Sequence, residues 1–576
     1  MILIFGGTTE GRTAVEVCEQ AGKQFYYSTK TNGQKIEMKY GTRLTGAMDG
    51  LCLNEFCKNN NIDCIIDAAH PFAENLHETI CKTGIKTIRL QRDFGTKKDG
   101  IIYCKNYEDA VIKMKEAKVN KLLALTGTNT ISKLKKFWTD TETYFRILNR
   151  EDSIKTAQDC GFDNRHIIFY NDKTALPSKP EEKELMEKIG CDAIITKESG
   201  SSGGFEEKTD AALELGIKIF AMEHPKLPAE WVYVQGAIGL RRAIEKIIPD
   251  YFDLKTGLST GTCATAAVKA AVISLVKNVM PTCVEIELPC GEKINVDVET
   301  DCCGMAHTFK DFSDDPDVTR GSKISAEIEI TDNDEIEFIG GPGVGTVTLP
   351  GLGLKVGGPA INKTPRDMMG KAVREITDKG CRIKISVENG AEIAKRTFNN
   401  KVGVEGGISI IGTSGIVYPL SNEAFERSLK KEFEVAKAIG CKEIGLVSGK
   451  KGENALTKEH NIRCIHYGNK IGKTLEYAQN MGFERVVVGI MIGKAVKLAE
   501  GHMDTHSGKA QMNIDFLKEI ADEEAYKLEN ITMARELWDI MSNHFFEKIE
   551  NLCYFHCRKI YSKGELTIRL VCEEKV

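Results

Sequence analysis

An apolar run, Met1–Phe5, leads straight into Gly6-Gly7-Thr8-Thr9-Glu10-Gly11-Arg12. A strand that meets a glycine turn and then a helix opens a βαβ unit, so the chain must begin an α/β fold on a parallel sheet. The pattern repeats. Gln24–Ser28, Cys64–Ala68 and Thr87–Leu90 read as further short strands, with helices over Arg12–Ala21 and about Phe72–Thr83. Leu122–Leu125 opens a second set, continued by Ala193–Thr196 and Ile217–Ala221. The expected fold of the N-terminal half is α/β, as two Rossmann-like parallel-sheet units over 1–110 and 111–248.

The grammar changes after Pro249–Asp253. Val284–Leu288 with Ile294–Val298, and Ser325–Ile330 with Glu335–Ile339 around Asp332-Asn333-Asp334, predict antiparallel hairpins. Ile324–Ile330 alternates apolar and polar residues with the period of a half-buried strand. Helices over Asn422–Ala438 and Gly472–Met481 then alternate with strands over Glu443–Ser448 and Arg485–Met491, and Ile514–Asn543 reads as largely helical. The C-terminal half, 249–576, is expected to be α+β with an α/β portion.

A net charge of -5 offers no footprint for nucleic acid. The 19 cysteines are odd in number and form no CxxC, which reads as reduced cytosolic thiols. Cys553, His556 and Cys557 match no common zinc spacing, so no metal is expected. Met1–Phe5 is too short for a signal peptide, and no apolar run reaches a membrane span. The expectation is a cytoplasmic protein with no nucleic-acid or membrane partner; homo-oligomerisation stays open.

The first candidate site is the turn after Phe5. Free N–H groups and the positive end of a helix attract a pyrophosphate. Gly6 and Gly7 permit close approach, Thr8 and Thr9 add hydroxyls, and Arg12 adds a charge one turn in. A tight turn without a ligand is the alternative. Ser28-Thr29-Lys30 stands where an NAD site usually places an acid for the ribose hydroxyl, which favours NADPH over NADH. His70, held extended before Pro71, lies at the end of a strand and either faces a ligand or bonds backbone.

In the second half, Ser259, Thr260, Thr262 and Cys263 open a small-residue helix with more hydroxyl and thiol groups than one cap needs. They are candidates for anion or substrate contact. The glycine-rich stretch 340–358, with Gly341, Gly343 and Gly345, either wraps a flat ligand or makes tight turns. Lys363 and Arg366 follow as carboxylate partners. Lys494 sits near a helix start, and His506 is a candidate base or a solvated loop residue.

Four boxes, Phe5–Arg12, His70-Pro71-Phe72-Ala73, Leu125-Thr126-Gly127-Thr128-Asn129 and Thr196-Lys197-Glu198-Ser199-Gly200, resemble in order the precorrin-6A / cobalt-precorrin-6A reductase family (CobK/CbiJ) over about 1–248. The resemblance implies reduction of a corrin-pathway macrocycle by a nicotinamide cofactor held on Gly6–Thr9. It implies that His70 lies near the nicotinamide, and that Lys197, Ser199 and Gly200 face macrocycle or cofactor. Ser259–Cys263, Gly341–Asn362, Gly412–Val417 and Gly493–Ser507 resemble the cobalt-precorrin-5B C1-methyltransferase family (CbiD) over about 250–576. That family transfers a methyl group from S-adenosylmethionine to a ring carbon. Met491-Ile492 departs from it, standing where many relatives carry a His–hydrophobe pair before Gly-Lys. The two resemblances together imply a bifunctional enzyme of cobalamin synthesis acting on a cobalt-bearing tetrapyrrole. The alternatives are a methyltransferase with a non-catalytic N-terminal half, and a tetrapyrrole carrier.

Overall fold

The computed structural model describes residues 1–576 except 32–35, 93, 96, 171–176, 201–202, 316, 420–421, 461, 530 and 573–576. The chain divides into two compact units, Met1–Asp253 with Gly291–Asn295, and Leu254–Cys290 with Val296–Val576.

The first unit holds two parallel sheets. One comprises β1 (Ile2–Phe5), β2 (Phe25–Thr29), β3 (Gly41–Thr45), β4 (Cys64–Asp67) and β5 (Lys86–Gln91). The second comprises β6 (Ile101–Cys104), β7 (Lys121–Ala124), β8 (Glu142–Leu148), β9 (Ile167–Tyr170), β10 (Ala193–Lys197) and β11 (Lys218–Met222). The chain then returns to the first sheet as β12 (Val232–Gln235). The orders are β12-β5-β4-β1-β2-β3 and β6-β11-β10-β7-β8-β9. Both sheets are therefore doubly wound, with connections that diverge between β1 and β4 and between β7 and β10. β1 and β4 are buried at every residue, as helices on both faces require. Sheet membership departs from the expected boundary at 110, since β6 already belongs to the second sheet. It also departs from the expected end of the second unit at 248, since β12 and helix Gly236–Ile247 pack with the first.

The turn after β1 is explained by three glycines. Gly7 adopts φ +97 with nothing within 4 Å of a Cβ position. Gly6 leaves room for Tyr27, and Gly11 brings α1 (Thr9–Glu19) against the turn, a Cβ there falling 2.9 Å from Gly6 Cα. The spacing is not GxGxxG, yet the division of labour is the same: close approach at one glycine, helix packing at another.

The second unit is built on α2 (Thr260–Lys277), whose small residues are almost wholly buried against a five-stranded sheet. That sheet contains β13 (Glu299–Cys302), β14 (Met305–Phe309), β15 (Lys323–Ile330), β16 (Ile336–Gly340) and β17 (Cys381–Val387), in the order β13-β14-β15-β17-β16. The hairpin expected between 325–330 and 335–339 does not form. β17 inserts between its arms, antiparallel to β15 and parallel to β16. Gly380 makes the insertion feasible: a Cβ there would lie 2.4 Å from Glu335 O and 2.5 Å from Asn333 Oδ1. Its N–H donates to Asn333 O, and Thr331 N–H donates to Gly380 O, so the splayed turn is hydrogen-bonded to the incoming strand.

Beyond helix α3 (Lys363–Arg374) and helix α4 (Asn422–Ala438) lies a fully parallel sheet. Its strands are β18 (Glu443–Val447), β19 (Cys464–His466), β20 (Arg485–Met491) and β21 (Glu565–Val571), in the order β19-β18-β20-β21. Helices α5 (Lys450–His460), α6 (Ile471–Asn480) and α7 (Ile492–Ala499) connect and cover it. Val486, Val488 and Ile490 point into the core shared with α4, α6 and α7. No helix among the described residues is long and apolar enough to cross a membrane. No group of His, Cys, Asp and Glu among them is arranged for a metal ion. Cys553 and Cys557 are buried in that same core.

Candidate active sites

In the first unit the two points of divergence open into shared space. A cavity of about 1270 Å³ is lined by Gly6, Gly7, Thr9 and Arg12 after β1, and by His70, Phe72 and Glu74 after β4. Ser28, Thr29, Lys30 and Thr31 line it at the end of β2, and Lys197 lines it at the end of β10. A second chamber of about 460 Å³ also contacts His70 and Lys197, and is lined further by Thr126–Asn129, Arg146, Ser199 and Lys208. Gly200 supports the turn behind Ser199, with φ +68 and its carbonyl accepting from Gly203 N–H.

Thr8 does not offer a spare hydroxyl to a phosphate. Its Oγ1 donates to Ala68 O at 2.6 Å and accepts from Gly11 N–H at 3.1 Å, which caps α1 and ties the turn to β4. Gly7 N–H is likewise taken by Tyr27 Oη at 3.0 Å. The start of α1, Thr9 and Arg12 remain as the anion-facing set, and the open space beside Gly7 leaves room for the anion. At the end of β2 the cavity wall is hydroxyls and one lysine, a surface suited to a phosphate. These residues fit a phosphorylated dinucleotide.

His70 Nδ1 accepts from Phe72 N–H at 3.2 Å, which places the ring proton on Nε2. Desolvation, reinforced by Arg92 and Lys197, lowers His70 to about 4, so it is neutral at physiological pH. Desolvation and the charge of Lys133 also lower Lys197, whose Nζ lies 5.3 Å from the centre of the Phe72 ring. A lysine with a lowered pKa transfers its proton more readily than an exposed one.

Several cavity residues carry no motif. Arg92 pairs with Glu10 at 3.0 Å and donates to Ser199 O at 3.1 Å. Lys133, Arg150 and Tyr107 also line the main cavity. Lys208, 8% exposed, is lowered to about 8 by desolvation and Arg146. A lone basic residue after a strand is invisible in sequence until the topology places it.

In the second unit most of the sequence candidates are engaged by their own chain. Ser259 caps α2, accepting from Thr262 N–H at 3.1 Å. Thr260 Oγ1 accepts from Ile411 N–H at 2.9 Å. Thr262 Oγ1 donates to Gly415 O at 2.6 Å and is completely buried. The Thr260 and Thr262 hydroxyls thus stitch the helix start to the 409–415 loop, while the Ser259 hydroxyl serves as the cap. At Gly341, Gly343 and Gly345 the side that a side chain would occupy is filled by the chain itself. Cβ atoms there would fall 2.2 Å from Ser386 Oγ, 2.0 Å from Val387 O and 2.4 Å from Val404 Cγ1, a close packing that the tight-turn alternative requires. Arg366 Nε donates to Ile361 O at 2.7 Å, turning the guanidinium onto its own backbone, while Lys363 is exposed at the start of α3. Lys494 and His506 lie elsewhere, in segments beside the carboxyl edge of the parallel sheet. Lys494 Nζ donates to Gly468 O at 2.5 Å, and exposed His506 accepts at Nδ1 from Gly508 N–H.

Comparison with known proteins agrees with this division. Cobalt-precorrin-5B C(1)-methyltransferase of Prosthecochloris aestuarii is 37% identical over 346 residues, covering 55% of this chain and 94% of the relative. The chain belongs to the CbiD family. The CbiD family model matches residues 249–419. The like-named protein of Salinispora arenicola is 41% identical over 281 residues, covering 47% of this chain and 74% of the relative. Residues 1–242 match the model of precorrin-6x reductase CbiJ/CobK. The chain is thus a fusion of a CbiJ/CobK reductase segment with a CbiD methyltransferase segment, two enzymes of cobalamin biosynthesis. A solved CobK precorrin-6A reductase aligns at 17% identity and TM-score 0.35, covering 43% of this chain and 97% of its own.

Proposed function

We propose that this chain performs two consecutive steps on one cobalt-bearing tetrapyrrole. The CbiD segment methylates C1 of cobalt-precorrin-5B with S-adenosylmethionine, and the CbiJ/CobK segment reduces the resulting cobalt-precorrin-6A to cobalt-precorrin-6B with NADPH. The observation that supports the reductase step best is the pair of chambers meeting at His70 and Lys197. A dinucleotide lies against one chamber and a macrocycle edge against the other.

A reduced nicotinamide supplies hydride when bound. The side chains have the remaining tasks. Thr9, Arg12, Ser28, Thr29 and Lys30 hold the phosphates and ribose, in the open space that Gly7 leaves. Neutral His70 orients a ring edge through its Nε2–H. The Lys197 ammonium delivers the proton that completes reduction of the double bond. Arg92, Lys133, Arg150 and Lys208 meet peripheral carboxylates, with Ser199 as a neutral contact. In the methylation, a sulfonium is a strong electrophile, so alignment matters more than acid–base assistance.

NADPH is favoured over NADH because the end of β2 presents Ser28, Thr29, Lys30 and Thr31 to the cavity. Titration of the full chain with both cofactors tests this. Tighter binding of NADPH supports it; equal or tighter binding of NADH contradicts it.

A further inference from the structure

We infer that the methyl donor binds at the carboxyl edge of the four-stranded parallel sheet, in the crevice between β18 and β20. This rests on the methyltransferase reading above and assigns it a place. The chain leaves β18 to one side, for β19, and then crosses to the other side, for β20. Loops diverging from adjacent parallel strands leave a crevice beyond the strand ends, and nucleotides and flavins bind there in doubly wound sheets. The five-stranded sheet of this unit, with only one parallel pair, has no such point.

The residues at this edge suit a nucleoside carrying an amino-acid tail. Ser448-Gly449 joins β18 to α5, which opens with Lys450-Lys451-Gly452. A Cβ at Gly449 would meet nothing within 4 Å, so backbone borders open space there. Gly452 lets α5 lie close over the strand ends, a Cβ falling 3.2 Å from Val447 Cβ and 3.6 Å from Gly489 O. At the end of the next strand, His466 Nε2 lies 3.1 Å from Glu453 Oε2 and 3.0 Å from Lys401 Nζ. Burial alone would raise Glu453, but hydrogen bonds from Lys401 and Lys450 hold it down to about 2. An ionised carboxylate on the first turn of α5 therefore reaches the end of β19, the strand end beside which dinucleotide folds bind ribose hydroxyls.

A further pointer is Tyr467, next after His466. It is completely buried, its hydroxyl makes no well-formed hydrogen bond, and Ser448 is a polar neighbour. Lys494 Nζ stands 5.9 Å from the centre of its ring, at the start of α7. That cation beside a helix N-terminus suits the donor's carboxylate.

The test uses the full chain and S-adenosylhomocysteine, the demethylated donor, read by calorimetry. Gly449→Glu fills the open space without a left-handed backbone or a clash. It should weaken S-adenosylhomocysteine at least about 30-fold by occupying the crevice and opposing the carboxylate tail. NADPH affinity and the melting temperature should stay as in the unaltered chain. Hydrogen exchange gives a readout free of any variant: added S-adenosylhomocysteine should protect 448–453 and 466–470. Wild-type affinity in G449E, or protection confined to 340–358, overturns the placement. Failure of the unaltered chain to bind S-adenosylhomocysteine at all overturns the methyltransferase reading instead.

Discussion

Gly6→Ala is a sharp perturbation of the reductase site, because the added methyl has nowhere to go. Its Cβ would lie 2.3 Å from Tyr27 Cε2 and 2.4 Å from Tyr27 Oη. Carbon contacts normally settle at about 3.5–4.0 Å, so the ring must shift by roughly 1 Å. Tyr27 is fully buried beneath the turn. Overpacking of this kind costs about 1–3 kcal/mol. Displacing the ring also breaks the Gly7 N–H bond to Tyr27 Oη, a loss of about 1 kcal/mol. A total of about 2–4 kcal/mol falls on the turn that receives the phosphates. The expected loss of NADPH affinity is about 30- to 1,000-fold. Nicotinamide fluorescence titration measures it, and methyl transfer by the same preparation, expected unchanged, shows that the second unit is intact. NADPH affinity within twofold of the unaltered chain would refute the reasoning.

Lys30→Glu should shift cofactor preference toward NADH, by about tenfold in the affinity ratio, since a carboxylate repels a 2′-phosphate and accepts from a 2′-hydroxyl; an unchanged ratio places that phosphate elsewhere. His70 is depressed from 6.5 to about 4 and stays neutral above that value, so reductase kcat/KM should show no histidine inflection between pH 5 and 8. NMR should find the imidazole titrating near 4; titration near 6.5 would contradict the desolvated cleft. At saturating substrate, where loss of the Lys208 charge near 8 affects binding and not turnover, kcat should fall as pH rises through the lowered Lys197 pKa, below 10.5, and Lys197→Gln should remove that limb along with most of the rate. Thr262→Val removes a buried hydroxyl that holds Gly415 O, and should destabilise the second unit by about 1–2 kcal/mol in denaturant unfolding without changing S-adenosylhomocysteine affinity; a selective loss of ligand binding would restore it as a binding group.

The N-terminal site was legible because its signals are local. A strand, a glycine with open space above it and a helix occupy consecutive residues, and the parallel topology puts His70 and Lys197 at strand ends facing that turn. What escaped depends on tertiary placement. Nothing adjacent to Arg92, Lys133, Arg150 or Lys208 marks them; Arg92 reaches the cleft from the end of β5 in the first sheet, and only the second sheet brings the other three there. In the C-terminal half glycines and hydroxyls serve two purposes that composition cannot separate. Ser259, Thr260 and Thr262 pair with a loop about 150 residues later, and Gly341, Gly343 and Gly345 yield to strands and turns beyond residue 380. The broken hairpin has the same origin. Residues 331–335 carry an ordinary turn signal, and only Gly380, far along the chain, shows that another strand comes between the arms.

The most direct measurement is anaerobic incubation of the full chain with cobalt-precorrin-5B and each cofactor singly, then both together, read by mass spectrometry. S-adenosylmethionine alone should add one methylene, NADPH alone should change nothing, and both together should add one methylene and two hydrogens. Two hydrogens gained without methylation, or methylation that NADPH never carries further, would contradict a chain that performs both steps in sequence.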